Sequence, residues 1–484
     1  MSNPVVEMSA VELSKAIHAK KVSCCEVMSS YLDHIDRTNP RVNAIVTRVD
    51  RDTLMKQAGE KDAELAAGRD NGWMHGFPQA VKDLVPTKGI RTTKGSLALK
   101  DWVPAADGAV VKSMKRDGAI IIGKTNTPEF GYGSQTYNEV FGATGNPYDE
   151  SKTCGGSSGG AACSVALRMQ AVADGGDFMG SLRNPAGWCN VIGFRASLGT
   201  VASGGTDLFT NSMSMNGPMG RSVDDVALLL ATLAGYNPAF PLTHEEDPRL
   251  KALTPDNVHE ALRSKSQKGV RVAWIGDWDG ALPMEDGVMA TCEKALAHVK
   301  DFGASVEPIK PFYNLNEFWE TIWLPIRHYC AASLKPWYDK CKQSLLKPES
   351  RWEYEGSLTM GAQEVYRAFE KRTEFYHAML KVYENYDYIV SPTAVCFPFD
   401  KNMHWPETVA GRPMHTYHNW MEIVTPWTMG GNAVIAMPAG FGGAHNLSMG
   451  IQIIAAPRKE YELLQFAAAY EAATNFTAKF PPKY

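Results

Sequence analysis

Two serines and a lysine carry the strongest chemical signal in this 484-residue chain. Ser157 and Ser158 sit between glycine pairs in Gly155-Gly156-Ser157-Ser158-Gly159-Gly160. Ser181 follows Asp174-Gly175-Gly176-Asp177-Phe178-Met179-Gly180 and precedes Leu182-Arg183-Asn184-Pro185. Lys82 closes the run Gln79-Ala80-Val81. A serine hydroxyl becomes a nucleophile once a base takes its proton. Glycine-rich backbone can turn N–H groups inward, toward a developing oxyanion. Together these are the parts of an acyl-transfer site. A lysine after apolar residues, at a strand end, is open to burial, which lowers its pKa and makes the neutral amine a usable base. None of the twelve histidines falls in the glycine-rich stretch; the nearest are His75 and His244. The serine loop has two other readings. It could be a tight turn from strand to helix. It could cradle a phosphate, although GGSSGG is neither GxxxxGKS/T nor GxGxxG and no lysine follows it.

Positioning such groups needs a rigid frame. Ser9 can cap a first helix with Leu13, Ala16 and Ile17 on one face. Ser23 and Glu26 form a capping box before Val27, Met28, Tyr31, Leu32 and Ile35, and Asn39-Pro40 is expected to end that helix. Gly118–Gly123 is a short apolar run expected to form a buried parallel strand. Val270–Ile275, Tyr388–Val390, Ala433–Met437 and Leu447–Ile454 look similar. Helices are expected over Ala161–Ala171 and about Glu460–Asn475. Strands alternating with amphipathic helices predict an α/β layered fold. Two regions break the rhythm. Cys154–Gly220 holds 14 of the 42 glycines in 67 residues, a concentration unfavourable in ordinary helices and strands. Residues 311–386 read as helical and aromatic, with Trp319, Trp323 and Arg327 at a helical spacing that suits core packing.

Composition narrows the class. The chain is 44% hydrophobic and 21% charged, with a net charge of -4, so no basic excess points to nucleic acid. No apolar run of about 18 residues suggests a membrane span. The opening MSNPVVEMSAVEL lacks the n- and h-regions of a secretory signal, and the closing FPPKY matches no common C-terminal address. The nine cysteines, Cys341 among them, are odd in number and irregularly spaced. Reduced thiols and a cytoplasmic location are the expectation.

The serine and lysine segments resemble the amidase signature family of serine hydrolases. Lys124-Thr125-Asn126-Thr127-Pro128-Glu129-Phe130-Gly131 is similar to a family segment that lines the site. Gly142–Pro147 and Asn216–Asp225 are similar to what flanks the signature, and Ser391-Pro392-Thr393 and Pro438–Phe441 to later family strands. The resemblance spans nearly the whole chain. It implies one amidase signature domain over 1–484, with a signature core at about 75–225, a variable helical substrate region at about 311–386, and a central mixed β-sheet covered by helices on both faces.

The same resemblance assigns roles. Lys82 is implied as general base, Ser157 as the bridging serine in a cis peptide, and Ser181 as nucleophile. The N–H groups of Phe178, Met179, Gly180 and Ser181 are implied as the oxyanion hole. Ser158, Asp177 and Arg183 would support the loop, and Gly131, Tyr132 and Met179 would meet the substrate. Met179 departs from the family, which usually has glycine or alanine there; this leaves the pocket shape open. The implied activity is cleavage of a small-molecule amide, ester or urethane through an acyl-enzyme. No metal, no organic cofactor, no nucleic-acid partner and no membrane are expected, and a homodimer is. The aromatic 311–345 segment favours a small apolar or aryl substrate. The alternative is the glutamine-hydrolysing component of an amidotransferase, working with partner chains on tRNA. A non-catalytic binding protein on the same fold and a metallohydrolase using His404, His415 and His418 are weaker ones; the latter histidines read as surface loop residues.

Overall fold

The computed structural model describes residues 3–204, 207–210, 212–340 and 345–483. Cys341 and the 341–344 part of the aromatic region lie outside them.

Three strands, β1 (Ile45–Arg48), β2 (Pro78–Lys82) and β3 (Ile120–Thr125), form a small sheet in the order β1-β3-β2. β2 runs parallel to β3, and β1 antiparallel to it. The large sheet uses β4 (Val172–Asp177), β5 (Ile192–Arg195), β6 (Met215–Gly220), β7 (Arg271–Trp274), β8 (Ser305–Pro308) and β9 (Tyr388–Pro392). After a two-stranded ladder of β10 (Thr408–Val409) and β11 (Arg412–Pro413), β12 (Val434–Gly442) and β13 (Leu447–Ala455) complete it. Its order is β4-β6-β5-β12-β13-β9-β7-β8. The sheet is mixed and flanked by helices, as the sequence predicts. Among the described residues, no helix is long and apolar enough to cross a membrane.

Local signals set most of these elements. Ser9 and Ser23 each head a capping box, with Glu12 and Glu26 returning the bond. The second helix does not stop at Asn39-Pro40; it runs Cys24–Val42 and ends at Asn43 in the left-handed region. Asn39 sets that exit. Its carbonyl accepts the Asn43 N–H, and its side-chain oxygen accepts those of Ala44 and Ile45. The helix expected over 161–171 is Gly159–Ala166, closed by Arg168 at φ 56°. Strand direction also differs from expectation. β12 and β13 are an antiparallel pair, because a strand buried on both faces is a continuous apolar run whichever way its neighbour points. Deep in the core, Trp188 and Trp420 stack 4.9 Å apart, a contact worth about 0.5–1.5 kcal/mol beyond its buried area.

The two sheets meet along an edge. β2 and β4 are edge strands of their sheets. Edge N–H groups need partners when buried. The N–H of Ala80 donates to Gln170 Oε1 at 3.0 Å, and that of Lys82 to Asp174 Oδ1 and Oδ2 at 3.2 and 3.3 Å. Side chains next to and on β4 thus pair β2 in place of a strand. The C-terminal end of β2 is thereby fixed against the glycine-rich half of β4.

Candidate active site

Lys82, at the end of β2, is 1% exposed. Its Nζ donates to Ser157 Oγ at 2.7 Å, to Ser158 Oγ at 2.8 Å and to the Gly176 carbonyl at 3.1 Å. Burial pulls the ammonium down to about 7, against the opposing charges of Asp174 and Asp177. An amine poised there is neutral in a large share of molecules near neutral pH. It can then receive a proton along the Ser157 bond.

Ser157 and Ser158 occupy the turn into the helix Gly159–Ala166, after a cis Gly156–Ser157 peptide bond. Asn184 Oδ1 takes the Gly156 N–H at 3.1 Å, and Thr136 Oγ1 takes that of Gly159 at 3.1 Å. The Ser158 N–H donates to the Ser181 carbonyl at 3.3 Å, which ties the two serine loops together. Glycine is needed beneath them. A Cβ on Gly175 would lie 2.9 Å from Ser158 Oγ. Gly131 is beside Ser157, where a Cβ would lie 3.6 Å from its Oγ.

Ser181 follows β4 and is 7% exposed. Asp177 organises this loop from inside. Its carboxylate accepts N–H bonds from Gly180 at 2.9 Å and Leu182 at 3.1 Å, and a two-pronged bond from Arg183. Burial would raise the Asp177 pKa, but Arg183, Arg195 and these bonds hold it at about 2. Arg183 also reaches the Val424 carbonyl at 2.7 Å and Gln452 Oε1 at 2.9 Å. One sequence expectation changes here. Gly180 was expected among the oxyanion donors, yet its N–H is engaged by Asp177. Among the described residues, the N–H groups of Phe178, Met179 and Ser181 meet no protein acceptor. Met179 is 6% exposed and packed into the main core.

The wall over this loop comes from the 311–386 region. The stripe Trp319, Trp323 and Arg327 runs through a π-helical turn (Trp319–Trp323) into the helix Leu324–Ala331. It is buried, as a core stripe should be, and it also reaches the site. Trp323 meets the Phe178 ring edge-on at 5.9 Å. The Arg327 guanidinium lies 4.3 Å over the Tyr132 ring and 4.6 Å over the Phe178 ring. Glu353 holds Arg327 Nε at 2.7 Å, Tyr417 OH holds Nη2 at 2.9 Å, and His418 Nε2 lies 3.1 Å from Glu353. Burial alone would raise the Glu353 carboxyl; Arg327 and the imidazoles of His328 and His418 hold it well below its usual range. This wall is therefore ionic as well as aromatic, where the sequence suggested an apolar one. His418 is fully buried in it, not in a surface loop. His404 sits elsewhere, half exposed, against Tyr137 and Glu349.

The structure thus brings Lys82, Ser157, Ser158 and Ser181 together on one side of the 177–183 loop, with Gly131 beside Ser157 and Tyr132 held under Arg327. Sequence reasoning missed Asp174, although it begins the quoted glycine segment; nothing in the string says that it pairs with β2. It also missed Arg195, Glu353 and Thr428, which have no local motif.

A family model described as Amidase matches residues 26–464. The chain is 30% identical to the amidase-type component of the glutamyl-tRNA(Gln) amidotransferase of Picosynechococcus sp., over 98% of this chain and 100% of that relative. Among solved structures, a bacterial aryl acylamidase of the amidase signature enzymes has a TM-score of 0.89 at 25% identity, covering 98% of both chains. The corresponding glutamyl-tRNA(Gln) amidotransferase component of Thermotoga maritima has a TM-score of 0.73 at 25% identity, covering 97% of this chain and 96% of that one.

Proposed function

Since the chain belongs to the amidase family, whose members act on amide C–N bonds, we propose that it is a stand-alone serine amidase for a small-molecule amide. The observation that carries this is the Lys82 amine, buried, lowered to about 7 and 2.7 Å from Ser157 Oγ. Neutral Lys82 takes a proton from Ser157, and Ser157 takes one from Ser181. Ser181 Oγ attacks the amide carbonyl, and the N–H groups of Phe178, Met179 and Ser181 hold the oxyanion. The proton returns through Ser157 to the leaving amine, which departs to give the acyl-enzyme. Water repeats the relay and frees the acid. One oxyanion donor is worth roughly 2.7–4 kcal/mol of barrier in such a site. The wall of Tyr132, Phe178, Trp323 and Arg327 favours a flat acyl or aryl group, and esters and urethanes fit the same relay.

Purified protein assayed on a p-nitroanilide, a p-nitrophenyl ester and a carbamate tests this reading. Turnover that disappears in Ser181→Ala supports it; no turnover on any of the three counts against it. An amidotransferase component that works with partner chains on tRNA is the second reading, favoured by the names of the sequence relatives. The stand-alone reading is supported by the greater likeness to the aryl acylamidase, 0.89 against 0.73. Recovery as an active homodimer, against a hetero-complex with glutaminase activity, separates the two.

A further inference from the structure

The three free N–H groups of the 177–181 loop are all aimed from behind. In a trans peptide the N–H points opposite to the carbonyl of the preceding residue. Each of the three peptides has that carbonyl anchored. The Asp177 carbonyl accepts Arg195 Nη1, which turns the Phe178 N–H away. The Gly180 carbonyl accepts the N–H groups of Arg183 and Asn184, both at 2.8 Å, which turns the Ser181 N–H away. The Phe178 carbonyl accepts Thr428 Oγ1 at 2.9 Å, which sets the Met179 N–H.

The first two anchors belong to groups with other structural duties. Thr428 differs. Its hydroxyl lies 3.0 Å from Arg183 Nη2. A guanidinium can only donate, so the hydroxyl accepts there. Its own proton is then directed to the Phe178 carbonyl. Thr428 is fully buried on the short helix Thr425–Met429. The residue just before that helix, Val424, takes Arg183 Nη1 on its carbonyl and blocks any Cβ on Gly180, which would lie 2.7 Å from Val424 Cγ2. A segment about 250 residues away in sequence thus holds the loop at Phe178, Gly180 and Arg183.

We propose that Thr428 is a positioning residue for catalysis: its hydroxyl, oriented by Arg183, fixes the Phe178–Met179 peptide so that the Met179 N–H faces the oxyanion. The proposal rests on Ser181 being the nucleophile of the reaction read above. Without the hydroxyl the Phe178 carbonyl loses its anchor and the donor can turn. The ground-state substrate carbonyl depends on that donor less than the tetrahedral state does.

The test compares Thr428→Val, Thr428→Ala and Thr428→Ser on a p-nitroanilide, with phenylboronic acid as a probe that becomes tetrahedral on the serine. Removing an oxyanion donor costs about 100–1000-fold in kcat, so a misaimed one should cost about 10–100-fold. Thr428→Val should lose that much kcat with KM nearly unchanged, and phenylboronic acid affinity should fall by a similar factor. Thr428→Ser should restore most of both. Thr428→Ala replaces valine if the latter does not fold. Unchanged kcat in the valine or alanine variant, an equal loss in Thr428→Ser, or lost kcat with full boronate affinity each overturns the proposal. Ser181→Ala is the control. Activity surviving in it overturns the nucleophile assignment and the proposal with it. A silent Ser181→Ala with a flat Thr428 series overturns the proposal alone.

Discussion

Asp174 binds Lys82 through its backbone and not through its ammonium. The carboxylate accepts the Lys82 N–H at 3.2–3.3 Å, while among the described residues no carboxylate oxygen lies within 4 Å of Nζ. The amine instead faces two hydroxyls and a carbonyl. An adjacent ion pair would hold the proton on the lysine; dipoles hold it less firmly. Burial therefore wins, and Lys82 falls to about 7.

The first prediction is a pH profile. A base must be unprotonated, so kcat/KM should rise with pH through about 7 and level off above it. The Asp174 charge raises the Lys82 pKa. Asp174→Asn, which keeps an acceptor for the Lys82 N–H, should move the rise to lower pH. A rise left in place or moved upward would count against Lys82 as the titrating group.

The second concerns Gly180. Its φ is 77°, and a Cβ there would lie 2.7 Å from Val424 Cγ2. Gly180→Ala should cost about 1–3 kcal/mol of stability and lower kcat on every substrate alike. Urea unfolding and steady-state kinetics read both effects. A change confined to bulky substrates would mean the new methyl group projects into the pocket.

The third concerns the ionic wall. Glu353 is buried and is the carboxylate bound to Arg327 Nε. Removing one partner of such a pair costs about 3–5 kcal/mol, so Glu353→Ala should lower stability by that order. It should also change the substrate preference, since Arg327 loses its grip over Tyr132 and Phe178. An unfolding midpoint equal to wild type would show that the pair contributes nothing to holding this wall.

The fourth concerns Met179, where family relatives usually carry glycine or alanine. Met179→Ala opens volume beside two oxyanion donors. It should raise kcat/KM for a bulky acyl group relative to a small one by about tenfold or more. An equal fall for both would mean the thioether packs away from the acyl group.

How much of this could be read from the string depends on whether the signal is local. The capping boxes at Ser9 and Ser23 follow from four-residue spacings, and both formed. Lys82 at a strand end and the two serine loops were legible because glycine clusters have few uses. The exit at Asn43 was not, because Asn39 acts through its side chain on residues that follow, and Pro40 is a weaker stop than it looks. Strand direction was hidden for β12 and β13, whose apolar runs suit either pairing. Least legible were the groups that aim the site. Asp177 holding Gly180, Thr428 holding Phe178, and Glu353 holding Arg327 all depend on folding, and the last two reach across the chain. The burial of Trp319, Trp323 and Arg327 followed from their period; that the same stripe touches the oxyanion loop did not.

The central claim is that Ser181 is the nucleophile and that Lys82 activates it through Ser157. Mass spectrometry of the intact protein and its peptides after exposure to a fluorophosphonate addresses this directly. The account predicts one adduct, on the peptide holding Ser181, absent in Ser181→Ala and formed much more slowly in Lys82→Ala and Ser157→Ala. An adduct on another residue, or labelling of Ser181 at the wild-type rate without Lys82, would contradict it.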